Sequence, residues 1–413
     1  MALLQKGLIA IIALSMFLAP MLHGEEKQVR PPILLTAAEA GDYPRLWDEE
    51  ELFRMPKMTP ATDIDFGFDY ADNVKPIYLE GIDFNGKPTR FFAWLGLPKE
   101  HVDGKVPGVV LVHGGGGTAF AQWVEEWTER GYAAIAMDTV GCRPTARFEG
   151  VNVRTDLPGD RPGFVNYQPD IANPHDSWTA HAVATIVRSH TYLRSLPEVD
   201  PERIGITGIS WGGYLTCITV AVDTRFVAAV PVYGCGFLGE SFPTVQKATE
   251  EWLKLFDPCM FLKSAKCPML FSNRPVDDCY FWEQWVRSSL LPPDAVRACH
   301  VGLGHSHSAG RVREAELFLD AYCKGIPPLP HIEEQIVKDG VATARFKAFA
   351  PIERATIAWT ETDKTPQCTW HEDPAGILDN TIIAPIPEKA IRFYLNLYDI
   401  RGTNVSTAGT GWK

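Results

Sequence analysis

Arg203-Ile204-Gly205-Ile206-Thr207-Gly208-Ile209-Ser210-Trp211-Gly212-Gly213-Tyr214, continued by the apolar run LTCITVAV at 215–222, decides the fold. RIGIT at 203–207 has the length and composition of a buried strand, and 214–222 reads as a helix. Between them lies G-x-S-x-G at 208–212. That pattern alone arises often by chance. Set between a strand and a helix, it reads as a sharp turn that lifts the serine Oγ clear of the backbone. Side chains next to the serine would collide there, so Gly208 and Gly212 relieve the crowding. The plain alternative is a glycine-rich turn whose serine caps the following helix.

Working outward, the same alternation repeats on both sides. GVVLVHGGGG at 108–117 is a buried strand ending in glycines, followed by helical 119–131 and a second buried strand at 132–139. Strands recur at 226–234, 267–273 and 296–304, with helices over 177–194 and 312–323. Along the first of these helices Val183, Ile186, Val187 and His190 share one face. Apolar strands alternating with amphipathic helices predict a parallel sheet covered on both faces. Ahead of it, 74–84 and 88–98 flank Asn85-Gly86, a strong hairpin signal. Residues 25–60 read as an irregular lead-in. Residues 142–174, dense in Pro, Gly, Arg and Asp, read as a long loop after a strand end, where open sheets bind ligands. After Pro327, Pro328 and Pro330 the pattern changes to short runs without helices, at 343–349, 355–361, 380–386 and 390–400. These predict a small C-terminal β-sandwich.

Composition narrows the class. The 413 residues carry 39 Lys+Arg against 51 Asp+Glu, a charge of −12, and no basic run of five. A nucleic-acid partner needs a basic face, so none is expected. Lys6 followed by the apolar stretch 7–22 and polar HGEEKQ has the layout of a secretory leader cut near Gly24. An exported protein, periplasmic or extracellular, follows, with no stable membrane insertion once the leader is removed. The domain expectation is 1–24 leader, 25–330 catalytic domain and 331–413 accessory sandwich. Nine cysteines show no C-x-x-C spacing, so neither a metal nor a redox site is expected. Buried thiols are the default, with one or two disulfides open after export. Sequence leaves the oligomeric state open.

A serine needs a base held by an acid before it becomes a useful nucleophile. On this architecture the chain order is Ser, then Asp or Glu, then His, each on a loop after a later strand. RPVDDCYF at 274–281 offers Asp277 and Asp278, and LGHSHSAG at 303–310 offers His305 and His307. His305 lies nearer its strand end and follows Gly304, so it is preferred. Acyl transfer also needs donors for a developing oxyanion. The Trp211 N–H is one by position. The loop His113-Gly114-Gly115-Gly116-Gly117 supplies others through Gly114, Gly115 and Gly116. It lacks the G-K-[ST] ending of a phosphate loop.

HGGGGTAF at 113–120, GISWGGY at 208–214, LFSNRPVD at 270–277 and GHSH at 304–307 together resemble the secreted bacterial α/β-hydrolases of the acetylxylan-esterase type. These are relatives of the dienelactone-hydrolase and prolyl-oligopeptidase groups. The resemblance runs over residues 74–325. It implies an α/β-hydrolase fold and a triad of Ser210, Asp277 and His305, with no cofactor. In similar chains the acid loop reads N-G-T-N-D; here it reads Asn273-Arg274-Pro275-Val276-Asp277, keeping the spacing that favours Asp277 over Asp278. Dienelactone hydrolases carry cysteine at the elbow, so Ser210 aligns with the esterases. The residues before Val74 are too few for the propeller of prolyl oligopeptidases. The implied activity is hydrolysis of small acyl esters or acetylated glycans. Alternatives are a serine peptidase of the prolyl-oligopeptidase-like group and an inactive glycan-binding protein. Trp123, Trp127, Trp178, Trp282 and Trp285 are possible sugar-stacking residues near the sheet, and Trp359, Trp370 and Trp412 in the sandwich. For each, core packing is the commoner fate.

Overall fold

The computed structural model describes residues 46–413 except 101–103, 149–153, 160, 165–172, 242–247, 363–366 and 411–413. The leader expected over 1–24, Trp412 and part of the 142–174 loop lie outside the described residues. No helix among the described residues is long and apolar enough to cross a membrane.

The chain enters the main sheet through an antiparallel set, β1 (Met58–Pro60), β2 (Val74–Glu80) and β3 (Arg90–Gly96). β4 (Val106–Val112) and β5 (Ala133–Met137) follow. β6 (Cys142–Pro144) and β7 (Arg154–Asp156) then form a separate antiparallel ribbon. β8 (Val199–Ile209), β9 (Ala228–Val232), β10 (Met269–Asn273) and β11 (Ala295–Cys299) complete the sheet. Its order is β1-β2-β3-β5-β4-β8-β9-β10-β11, and every pair from β5 to β11 is parallel.

Every residue of β5, β9 and β10 is buried, as a sheet covered on both faces requires. Each buried Val, Leu or Ile there contributes about 1.5–3 kcal/mol relative to an exposed one. The order reverses at β4, whose successor β5 lies on one side and β8 on the other. Such a reversal opens a crevice at the strands' C-terminal ends. The glycine loop after β4 and the serine turn after β8 both open there.

The helices are α1 (Glu49–Phe53), α2 (Ala121–Glu129), α3 (Trp178–Ser195), α4 (Trp211–Val222), α5 (Leu238–Ser241), α6 (Glu250–Phe256), α7 (Trp282–Ser289) and α8 (Arg313–Lys324). α3 is the helix expected over 177–194; its N-cap Ser177 Oγ accepts the Ala180 N–H at 3.2 Å. α8 ends on Gly325 at φ 73°, a left-handed stop. Several short elements escaped the sequence pattern, among them the helices α5, α6 and α7. The lead-in contains α1 and β1, and the long loop contains the β6–β7 ribbon. β1, β6 and β7 have three residues each, too few to display a period.

The second sheet comprises β12 (His331–Ile332), β13 (Ile336–Lys338), β14 (Val341–Lys347), β15 (Ile352–Thr360), β16 (Trp370–Leu378), β17 (Thr381–Pro385), β18 (Arg392–Asp399) and β19 (Asn404–Ser406), all antiparallel. β16 pairs with β15 through Trp370–Ala375 and then with β17 through Gly376–Leu378, so it links the two leaves of a sandwich. Ala342, Ala344 and Ile382 from one leaf and Ile357, Leu395 and Leu397 from the other are buried. The sandwich is seated on the first sheet by directed bonds. Asn404 Nδ2 donates to the Cys299 carbonyl at 3.1 Å, and the Cys299 N–H donates to Ser406 Oγ at 2.9 Å. Arg401 donates to the carbonyls of Pro327 and Pro328.

All nine cysteines are free thiols, seven of them buried, which is the default reading of the sequence rather than the one or two disulfides left open there. Apolar strands and helices already enclose them, and no pairing is needed to staple the core.

Candidate active site

β8 runs into Ser210, whose φ of 56° and ψ of −120° are strained for a residue with a side chain. The Ser210 N–H donates to the Val232 carbonyl at 2.8 Å, and α4 starts at the next residue. The turn closes only on bare backbone. A Cβ on Gly208 would lie 2.3 Å from the Gly212 carbonyl oxygen, and one on Gly212 would lie 2.2 Å from that of Val112.

His305 Nε2 lies 2.9 Å from Ser210 Oγ, and His305 Nδ1 lies 2.7 Å from Asp277 Oδ2. The structure therefore brings Ser210, His305 and Asp277 into one chain of contacts across 95 and 28 positions of sequence. Asp277 is fully buried, and its other oxygen accepts the N–H groups of Cys279 (2.9 Å) and Tyr280 (2.8 Å). Arg274 Nε stands 3.3 Å from Oδ2. Burial pushes the Asp277 carboxyl up, but the His305 ring and the two amides outweigh it and hold it below its usual range. Asp278 points away, with 76% of its side chain exposed.

The second histidine of the loop has a different partner. His307 Nε2 accepts the N–H of Gly114 at 3.2 Å, so that amide is committed within the protein. The Gly117 N–H is likewise taken, by the Gly114 carbonyl at 3.1 Å. A Cβ on Gly115 would lie 2.6 Å from the Trp211 ring, whereas one on Gly116, at φ 77°, would meet nothing within 4 Å. His113 anchors the loop from behind. The Thr139 N–H donates to its Nε2 at 3.0 Å, which places the proton on Nδ1, and Nδ1 donates to the Gly114 carbonyl at 2.8 Å. Burial pushes His113 down to about 3, so it stays neutral.

Asp277, Cys279 and His305 bring donor atoms within 4.8 Å of one another. Two of the three are bonded carboxylate to ring nitrogen, an acid–base arrangement rather than an open coordination shell.

Tryptophan burial resolves the aromatic alternatives. Trp123, Trp127, Trp178, Trp282 and Trp285 are all buried. Trp178 still borders the site: it meets Trp211 at 5.6 Å, nearly perpendicular, and lines a cavity of about 320 Å³ with Asp138, Thr139 and His181. Trp370 is core packing, between Trp282 at 5.4 Å and Tyr394 at 5.2 Å. Trp359 donates its indole N–H to Asp373 at 2.7 Å. Sequence reasoning missed Tyr233, whose ring lies 4.4 Å from that of His305. Its only local signal is a bulky residue at the end of a strand, before Gly234.

Comparison with known proteins follows this geometry. The acetyl xylan esterase (AXE1) family model matches residues 36–252, just over half of the chain. Among solved structures, an acetyl xylan esterase from Paenibacillus sp. R4 is similar with a TM-score of 0.51 and 20% identity, covering 70% of this chain and 100% of that one. Acetyl xylan esterase 1 from Thermoanaerobacterium sp. JW/SL YS485 gives 0.51 and 17%, covering 71% and 94%. At these identities the two structures speak for the fold. A relative, the quorum-quenching protein AidA of Acinetobacter baumannii, is 29% identical over 152 residues, 36% of this chain; the match spans 41% of that protein's length. On the family match and the fold, the chain belongs to the acetyl xylan esterase (AXE1) family, esterase-type serine hydrolases of the α/β-hydrolase fold.

Proposed function

We propose that this protein hydrolyses carboxylic esters through Ser210, His305 and Asp277, and that its substrates are acetylated carbohydrates of the xylan type. The observation carrying the mechanism is the pair of contacts at 2.9 and 2.7 Å that runs from Ser210 Oγ through the His305 ring to Asp277. His305 Nε2 takes the Ser210 proton as Oγ attacks the ester carbonyl. Asp277 holds Nδ1–H and balances the charge that develops on the ring. The oxyanion meets the N–H of Trp211, at the start of α4, and that of Gly115. The alcohol leaves with the proton from Nε2. Water, deprotonated by the same nitrogen, then releases acetate and restores Ser210.

Family membership supports a short acyl group on a glycan, and the apolar leader at 7–22 supports export to where such polymers occur. The region from 331 acts as a buttress in this reading. Its Trp370 packs on Trp282, the first residue of the helix that follows the Asp277 loop. The test is acetate release from acetylated xylan, acetylated oligosaccharides and simple acetate esters, with Ser210→Ala as control. Release that disappears in the variant is the expected result. Release of neither acetate nor any other acid from the panel, with cleavage of peptides instead, would overturn it.

A further inference from the structure

We propose that Tyr233 is a positioning residue for His305, holding the imidazole plane and stabilising the ring once it carries the Ser210 proton. This rests on the acid–base reading of His305 above.

Tyr233 is the residue at which the three segments bearing the reactive groups are tied together. It follows β9 directly. The carbonyl of its neighbour Val232 accepts the Ser210 N–H at 2.8 Å. Its own N–H donates to Ser272 of β10, the strand leading to Asp277, at 2.9 Å. Its hydroxyl donates to the carbonyl of Gly304, the residue before His305, at 2.9 Å. Its ring lies against the His305 ring at 4.4 Å with 7° between the planes. One residue thus sets the spacing of nucleophile, acid strand and base.

The backbone carries a sign of the same role. Tyr233 sits at φ 53°, where a bulky side chain is strained, and it is fully buried. Glycine would adopt this conformation without strain. A bulky residue kept there is held by its surroundings, and strained residues of this kind cluster at functional sites. The face contact gives it a chemical consequence. The phenol ring presents its negative face to the imidazole, which favours the imidazolium formed during proton transfer. Burial pushes the Tyr233 hydroxyl well up, so it remains a neutral donor to Gly304 throughout. The other groups facing His305 are Asp277 with Arg274 behind it, the Cys279 thiol, the Tyr280 ring at 6.2 Å, Ser210, and His307 in its own loop. Substitutions at 233 remove none of these side chains.

The experiment compares Tyr233→Phe, Tyr233→Leu and Tyr233→Met with the wild type, recording kcat and KM for an acetate ester across pH on protein shown to be folded by circular dichroism. Two ring-less variants guard against one failing to fold. The Phe variant keeps the stack and loses the Gly304 bond. It should keep the acidic limb of kcat/KM at the wild-type pH and lose less than about tenfold in kcat. The ring-less variants should lose about 10–100-fold in kcat with KM within about threefold. Their acidic limb should also move about half a pH unit lower, since the imidazolium has lost its favourable face. Ring-less variants with wild-type kcat and an unmoved limb would overturn the proposal, as would a Phe variant as impaired as the Leu variant. Full activity in Ser210→Ala would instead overturn the reading of the site itself.

Discussion

His307 Nε2 accepts the N–H of Gly114 at 3.2 Å, bridging the two loops that flank the serine. Two histidines separated by one residue thus face different tasks. His305 reaches Ser210, and His307 holds the glycine loop. His305→Ala should lower kcat by about 10⁴ or more, as loss of the base does in serine hydrolases. His307→Ala removes one hydrogen bond to a loop amide, and should lower kcat by about tenfold at most. Steady-state kinetics on an acetate ester separates the two; comparable losses would mean that the histidines share the proton transfer.

The neighbouring acids diverge in the same way. Asp277 is buried with both oxygens engaged, whereas Asp278 extends into solvent. Asp277→Asn should lower kcat by about 10⁴, because the amide no longer holds the imidazole tautomer with its proton on Nδ1. Asp278→Asn should stay within about threefold. An Asp278 variant as slow as the Asp277 variant would reject the assignment.

Strain at Ser210 makes a stability prediction. Ser210 holds φ 56° with a side chain, a conformation costing about 1–3 kcal/mol. Glycine relieves that strain while adding about 0.4–1 kcal/mol of chain entropy to the unfolded state. Ser210→Gly should therefore unfold at higher denaturant than Ser210→Ala, by about 1 kcal/mol, with both inactive. Equal midpoints would show that the turn stores no strain.

Asp138 gives a pH signature. Its carboxylate accepts Thr118 Oγ1–H at 2.7 Å and the N–H groups of Val140 and Cys142, yet burial dominates and pushes it up to about 6. A carboxyl raised in the folded state contributes stability that is fully present below its ordinary 3.8 and is lost as pH rises through about 6. Between pH 4 and 6 the wild type should therefore lose about 2 kcal/mol relative to Asp138→Asn. Urea unfolding at intervals across that range measures it. A constant difference between the two proteins would refute the assignment.

The fold was largely legible because its signals are local. Continuous apolar strands between amphipathic helices are readable without knowing where they meet, and Asn85-Gly86 announced the β2–β3 hairpin. The expected C-terminal sandwich emerged from short alternating runs, as in β14 with its alternating burial. Three-residue strands carried no such signal. Neither did the fate of the tryptophans: core packing is the commoner reading of Trp370 by itself, and its contacts with Trp282 and Tyr394 are what place it there.

At the site, the sequence by itself determined the serine turn and the order of its partners. Steric crowding around Ser210 demands glycine at 208 and 212, and that demand is written within five residues. Spacing favoured Asp277 and nearness to the strand end favoured His305, and the tertiary structure sets Asp277 against His305 and His305 against Ser210 while Asp278 extends into solvent. It also decided that the Gly114 amide is taken by His307 and that Tyr233 stacks on His305. Contacts spanning 193 and 71 positions arise only when β4, β9 and β11 are laid in one sheet, and no local pattern of apolar and polar residues encodes them.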